Sequence, residues 1–372
     1  WIMDDDTPRA RVFGMMKLER GVTADALAAL CDGSRFAPDT LSPAERHALT
    51  VRTIEGAPAP VAGDYPEWMD DHLAEVFGDD RVAEAAAMAR RAPLDLRVNT
   101  LKTKREKAAA SLAHLGAKPT RWSPWGLRIV LGADARNPGI HAEEDFLKGG
   151  VEVQDEGSQL ATLFSGAKPG EQVIDLCAGA GGKTLALAAM MQGKGRLIAT
   201  DGDKRQLAPI HERLSRAGVH NAEVRAPKGD VDPLSDIRAS ADLVLIDAPC
   251  TGTGTWRRNP DAKWRIRPGA LEVRLKAQAE VLDRAAPLVK PGGRIVYVTC
   301  SVLSAENNAQ IRAYLARHPE FSVLPPAQVA GPLWDKAEDF LAAVLQSPEG
   351  LLMTPRRTGT DGFFVAVLRK AG

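Results

Sequence analysis

A mostly parallel, doubly wound α/β sheet is the fold class this sequence predicts, preceded by a small α/β module and a helical N-terminal region. Three observations predict it. Strand-like and helix-like segments alternate from Gly170 onward, a glycine-rich loop follows the first of those strands, and the spacing before Pro93 is helical.

In chain order, residues 23–30, 43–54 and 70–90 carry helix-type apolar spacing separated by Gly and Pro breaks, so 1–92 is expected to be a helical region and a candidate RNA-binding extension. After Pro93 the pattern changes: 94–99 reads as a strand, 105–115 as a helix stopped by Gly116, and 127–131 as a second strand. This predicts a small basic α/β module over 93–150, with a large domain over 151–372. In the large domain, strands are expected at 172–176, 196–200, 222–226, 242–246 and 294–299, with a late one at 362–369. Helices are expected at 183–191 and 204–217, stopped by Gly193 and Gly218, and at 270–289, ended by Pro291-Gly292-Gly293. In such sheets ligands bind beyond the carboxyl ends of the strands.

Composition bounds the function. No apolar run approaches ~20 residues and the first ten residues are acidic, so neither a membrane span nor a signal peptide is expected. Trp1 stands where a natural chain begins with Met, which points to a trimmed N-terminus. The four cysteines, Cys31, Cys177, Cys250 and Cys300, form no Cys-x-x-Cys pair. Free thiols in a reducing cytoplasm and no metal site are therefore expected. Lys/Arg and Asp/Glu number 48 each, yet the charge is segregated: residues 1–90 hold 9 basic against 17 acidic side chains, and residues 91–130 hold 9 against 2. A local basic stretch can bind phosphates on a neutral chain, but it can equally be a solvated face.

The chemistry gathers at strand ends. The first strand of the large domain runs into Asp175-Leu-Cys-Ala-Gly-Ala-Gly-Gly-Lys-Thr184. A P-loop would need Gly in place of Cys177, and a dinucleotide fingerprint would need Gly in place of Thr184. Asp201 ends the second strand, where a carboxylate can accept hydrogen bonds from ribose hydroxyls. A nucleoside cofactor without a diphosphate suits this loop, and S-adenosylmethionine is one. Cys250 and Cys300 each follow a strand, and the fold would set those strands side by side. One cysteine there reads as buried filler; two facing the same edge favour chemistry. Carbon 5 of cytosine becomes a nucleophile only after a thiolate adds to carbon 6, and Asp247 is placed to hold the polar edge of that base. Residues 251–276 hold 7 basic against 2 acidic side chains with Trp256 and Trp264 interleaved, a composition suited to single-stranded RNA, although both tryptophans can instead be core residues.

These motifs resemble the Sun-type (RsmB-like) RNA 5-methylcytosine methyltransferases over about residues 93–370. The resemblance rests on Leu96-Arg-Val-Asn-Thr-Leu-Lys102, Val153-Gln-Asp-Glu-Gly-Ser-Gln-Leu160, the loop 175–184, and Asp247-Ala-Pro-Cys250 with its continuation to Trp264. Thr299-Cys-Ser301 with Glu306-Asn307, and Asp361-Gly-Phe-Phe-Val-Ala-Val367, complete it. It implies a Rossmann-like S-adenosylmethionine methyltransferase domain over 151–372, acting on cytosine in RNA. It implies that Cys300 is the nucleophile and that Cys250 assists product release. The cofactor pocket would comprise Cys177, Ala178, Gly179, Ala180, Gly181, Gly182, Lys183, Asp201 and Asp247, with Asp230 at the adenine. Two departures are small: Gly179-Ala180 replaces the family's Ala-Pro, and Thr251 replaces Ser. The arrangement suggests 16S ribosomal RNA as the partner, with neither DNA nor membrane, and a monomer. Transfer RNA, a nicotinamide-dependent dehydrogenase and a non-catalytic ribosome-assembly protein are the alternatives.

Overall fold

The computed structural model describes residues 1–132, 135–229, 231–331 and 334–372, so Asp230, the expected adenine contact, lies outside the described residues. The chain forms two compact units, Trp1–Asp70 and Asp71–Gly372.

The first unit is helical. Thr7 and Thr23 cap the helices Pro8–Arg20 and Ala24–Leu30 by accepting from the amides of Ala10 and Ala26. Ser42 and Glu45 form a reciprocal capping box at the start of Pro43–Val51. Caps of this kind stabilise a helix by about 1 kcal/mol each. Ile2, Phe13, Leu27, Cys31 and Leu49 make its core. The helix Arg81–Ala89 belongs to the second unit, so the helical region expected over 1–92 is divided near Asp70.

Within the second unit, β1 (Leu94–Val98), β2 (Lys118–Pro119), β3 (Gly126–Ile129) and β4 (Val151–Val153) form an antiparallel sheet in the order β2-β3-β1-β4. β4 lies past the expected boundary at 150, so the small sheet borrows its last strand from the start of the large domain. The expected helix 105–115 is the helix Arg105–Ser111 followed by a 3-10 turn, Ala113–Leu115.

The large sheet comprises β5 (Gln172–Asp175), β6 (Arg196–Thr200), β7 (Ala222–Arg225), β8 (Ala241–Asp247), β9 (Val289–Thr299), β10 (Phe321–Val323), β11 (Leu345–Ser347), β12 (Gly350–Met353) and β13 (Phe363–Lys370). Its order is β11-β12-β13-β9-β8-β5-β6-β7, with β10 on β13. The β9-β8-β5-β6-β7 portion is parallel, and β10 to β13 extend it antiparallel. Residues 243–246 and 295–298 are fully buried, as expected for parallel strands covered on both faces. This is the doubly wound, mostly parallel sheet expected, with a larger antiparallel wing than the single late strand anticipated.

Three local differences have physical causes. Pro209 cannot donate an amide hydrogen bond, and the expected helix 204–217 becomes Lys204–Leu207 and Ile210–Ala217. Pro291-Gly292-Gly293 does not follow a helix directly: the helix is Pro268–Ala285, and β9 runs through the Pro-Gly-Gly segment. There the register against β8 shifts between Ala241 and Leu243, and Gly292 takes φ +72°. The polar stretch after Asp155 forms an unanticipated helix, Glu156–Leu163, whose residues are all buried.

A buried ionic knot ties the loop that follows Cys250 to this frame. Arg257 donates to Asp155 and Asp361, and Arg258 donates to the same two carboxylates. The amide of Asp361 donates to Asp155 Oδ1 at 3.0 Å. Burial, and the charge of Asp155, push the Asp361 carboxyl up to about 6. At Asp155 burial acts in the same direction, but Arg258 and Arg257 overcome it and hold that carboxyl low. Asp361→Ala strands guanidinium charge inside the protein and is expected to cost about 3–5 kcal/mol of unfolding free energy. Chemical denaturation checks this; a loss below about 1 kcal/mol would mean that the knot contributes little.

Candidate active site

The parallel register aligns four strand ends in one row. Asp175 ends β5 opposite Ala199 of β6 and Leu245 of β8, and Asp247 ends β8 opposite Val298 of β9. Asp201, the 177–183 loop, Asp247 with Cys250, and Cys300 therefore follow one another along the carboxyl edge. Antiparallel β13 brings its amino end to the same edge, where Phe364 faces Thr299.

At one end of the row, the 177–183 loop is fixed by its glycines. Gly181 has φ +86°, and a Cβ there would lie 2.5 Å from Ile210. Gly179 has φ +49°, and neither there nor at Gly202 would a Cβ meet anything within 4 Å. The Gly179 amide donates to Asp201 Oδ2 at 2.8 Å, and the Asp203 amide donates to Asp201 Oδ1 at 2.8 Å. Each carboxylate oxygen keeps a lone pair for a ligand hydroxyl. Burial raises the Cys177 thiol, with Asp201, Asp175 and Asp247 adding to the effect.

In the middle, Lys183 is buried and its Nζ donates to Asp247 Oδ2 at 2.6 Å. The Lys183 charge is thereby matched from within the protein, and the amino end of the helix Gly182–Met190 gains no spare lysine for a phosphate. Open backbone at Gly179, a hydroxyl-accepting carboxylate at Asp201 and a neutralised lysine fit S-adenosylmethionine better than a dinucleotide.

At the far end, the Cys250 and Cys300 sulfurs lie 3.4 Å apart, as free thiols. The hydrogen bond to Cys300 raises the Cys250 thiol well above its usual range, and burial and the Glu306 charge add to this. The loop beyond Cys250 is pinned to the Cys300 strand end: the Gly254 amide donates to the Cys300 carbonyl at 2.9 Å, and the Gly362 amide to the Gly254 carbonyl at 2.8 Å. A Cβ at Gly254 would sit 2.1 Å from the Gly362 oxygen, so only glycine allows this crossing.

Two further residues lie here, named in the sequence motif but given no role by it. Glu306 is fully buried and accepts from the Thr251 amide and hydroxyl and from Gln278 Nε2. Asn307, also buried, accepts from the Thr299 hydroxyl at 2.6 Å and donates to the Ser301 carbonyl at 2.9 Å. Their only sequence signal is their place in the Thr-Cys-Ser motif.

The basic stretches divide. Trp256 is buried and Trp264 is 55% exposed. Arg257 and Arg258 are committed to the ionic knot and Lys263 is buried, whereas Arg267 and Arg274 are exposed. In the small module, Arg97 is buried, Arg128 pairs with Asp95 at 2.7 Å, and Lys102 caps the carbonyls of Lys148 and Arg216. Lys104, Lys107, Lys118 and Arg121 remain exposed.

Over residues 163–369 the sequence matches the family described as 16S rRNA methyltransferase RsmB/F. The chain belongs to that family. Residues 65–135 match the RsmF/B-like ferredoxin-like domain. Curated RsmB/F relatives include the probable ribosomal RNA small subunit methyltransferase B of a Synechocystis strain, 33% identical over 82% of this chain and 67% of that one. The ribosomal RNA small subunit methyltransferase B of Salmonella arizonae is 35% identical over 69% of this chain and 58% of its own. The chain thus spans roughly three-fifths to two-thirds of these relatives' lengths. A methyltransferase homologue from Pyrococcus horikoshii superposes with a TM-score of 0.66 at 26% identity, covering 84% of this chain and 97% of that one.

Asp175 supplies a pH signature. Burial raises its carboxyl to about 7, against one hydrogen bond from the Thr184 hydroxyl at 2.6 Å, and its Oδ1 has no partner. The folded chain then holds a proton that the unfolded chain releases near pH 4. The contribution of Asp175 to stability is present below about pH 4 and falls as the pH rises to about 7. In Asp175→Asn this part of the pH–stability profile should flatten, as read by denaturation midpoints between pH 4 and 8; an unchanged slope would place the proton elsewhere.

Proposed function

We propose that this protein methylates carbon 5 of a cytosine in RNA, with 16S ribosomal RNA as substrate, through a covalent adduct to Cys300. The observation that carries the reading is the thiol pair 3.4 Å apart, in line with Asp247, Lys183 and the open glycine loop. Membership of the RsmB/F family and the names of the curated relatives support ribosomal RNA as the substrate. Among the described residues no helix is long and apolar enough to cross a membrane.

Cys177, Ala178, Gly179, Ala180, Gly181, Gly182, Lys183, Asp201 and Asp247 would hold S-adenosylmethionine, which when bound supplies an electrophilic methyl group. The Cys300 thiolate adds to carbon 6 of the base, forming a C–S bond and making carbon 5 enamine-like. Asp247 spends one oxygen on Lys183 and has the other to accept from the exocyclic amino group of the cytosine. Once carbon 5 carries the methyl group, its proton passes to solvent and the electron pair left behind breaks the C–S bond, expelling the Cys300 sulfur as a thiolate. Cys250, protonated and in contact with Cys300, assists that release. The target base must be unstacked to reach this edge.

Methyl transfer from labelled S-adenosylmethionine to unmodified ribosomal and transfer RNA, followed by nucleoside analysis, tests the reading. We expect 5-methylcytosine in 16S ribosomal RNA, abolished in Cys300→Ala, and a trapped protein–RNA adduct in Cys250→Ala. A fully active Cys300→Ala would overturn the covalent route, and methylation confined to transfer RNA would overturn the substrate.

A further inference from the structure

Two consecutive residues hold the chain on either side of the two cysteines: Glu306 next to Cys250 and Asn307 around Cys300. Glu306 grips the residue after Cys250: its Oε1 accepts from the Thr251 amide at 2.8 Å, and its Oε2 accepts from the Thr251 hydroxyl. Gln278 reaches the residue before Cys250, donating from Nε2 to the Pro249 carbonyl at 3.0 Å and to Glu306 Oε1 at 3.0 Å. Both of those neighbours are acceptors, so the amide orientation is dictated, and Gln278 Oε1 is left buried without a partner. Tyr297, in β9, donates its hydroxyl to the Glu306 carbonyl at 2.7 Å and fixes the carboxylate's own backbone. Asn307 does for Cys300 what Glu306 does for Cys250, bonding Thr299 before it and Ser301 after it.

Neither residue is suited to act on the base itself. Glu306 and Asn307 are 0% and 2% exposed, and both Glu306 oxygens are already engaged. Their bonds end on the residues flanking the sulfurs. A buried carboxylate is costly unless it is fully hydrogen-bonded, and here every donor it collects belongs to the Cys250 loop or to the glutamine that clips that loop.

We propose that Glu306 and Asn307 are positioning residues with separate duties: Glu306 holds Cys250 in place for release of the methylated base, and Asn307 holds Cys300 in place for the initial addition. The inference rests on the reading of Cys250 as the release group and Cys300 as the nucleophile. It assigns the two adjacent side chains to two different steps of one reaction. A merely structural role would instead lower both steps together.

The test separates adduct formation from adduct release, using the full chain, labelled S-adenosylmethionine and unmodified 16S ribosomal RNA, with denaturing electrophoresis to count protein–RNA adducts. Glu306→Gln keeps the size but loses the charge and one acceptor. It is expected to form adduct at close to the parent rate while turnover falls by roughly 10²-fold, the scale of a misplaced reacting group. Thr251→Val, which removes only the hydroxyl, should shift the same balance more mildly, and Thr251→Ser should restore release. Asn307→Ala should slow adduct formation and accumulate none. Cys250→Ala is the reference: if it traps no adduct, the release reading fails and takes the inference with it. If Cys250→Ala traps adduct while Glu306→Gln and Thr251→Val lose formation and release in parallel, Glu306 is structural and the inference alone is overturned. Should Glu306→Gln fail to fold, as judged by circular dichroism, the Thr251 pair decides between these outcomes.

Discussion

The hydrogen-bond register between β8 and β9 is the constraint on which the candidate site depends. Asp247 lies opposite Val298, so Cys250, three residues past the first, and Cys300, two past the second, leave the sheet side by side. A one-residue slip would invert every side chain on a strand buried on both faces. The apolar runs 243–246 and 295–298 therefore fix the register for reasons of packing, and the closeness of the two sulfurs is inherited from it. The bulge near Ala241 takes up the irregularity at the far end of the pair, away from the cysteines.

Register alone sets strand ends, not loops. The residues after Cys250 make a long excursion before the helix Pro268–Ala285, and three kinds of interaction return them to the sheet edge. The Gly254–Gly362 crossing sets how closely the loop approaches β13. The four-membered ionic knot anchors its next turn, and the Glu306–Thr251 contacts anchor its start. Buried charge is an expensive way to hold a loop, and hydrophobic packing is often as stable. What ionic and hydrogen-bonded contacts add is direction: each has one geometry, which suits a segment that must keep a sulfur within contact of another.

How much of this was legible in the sequence depends on the range of the interaction that sets each feature. The alternating strands and helices of the large domain are local patterns and are readable as such, as is the Asp-Leu-Cys-Ala-Gly loop. The helix Glu156–Leu163 was not, because its Glu-Gly-Ser-Gln start has no amphipathic period; it is buried on every side, where periodicity carries no signal. The pairing of β4 with β1 was equally hidden, since it spans more than fifty residues. Charge was legible as composition but not as purpose. Arg257 and Arg258, which read as cations facing RNA phosphates, are bound to Asp155 and Asp361, about a hundred residues away on either side. An arginine paired internally and one left free for phosphate look identical in a sequence.

The same distinction bears on the two cysteines. Their neighbours in the chain, Asp-Ala-Pro before one and Thr before the other, do not by themselves rank the thiols. The fold gives Cys250 surroundings that oppose loss of its proton. Cys250 is partly buried, in contact with a second sulfur and within the field of the buried Glu306 carboxylate, all of which act in that direction. On the mechanism proposed above, a sulfur kept protonated suits the release step better than the first attack. The largest of these influences is the contact with Cys300 itself, and the placement of Glu306 adds to it.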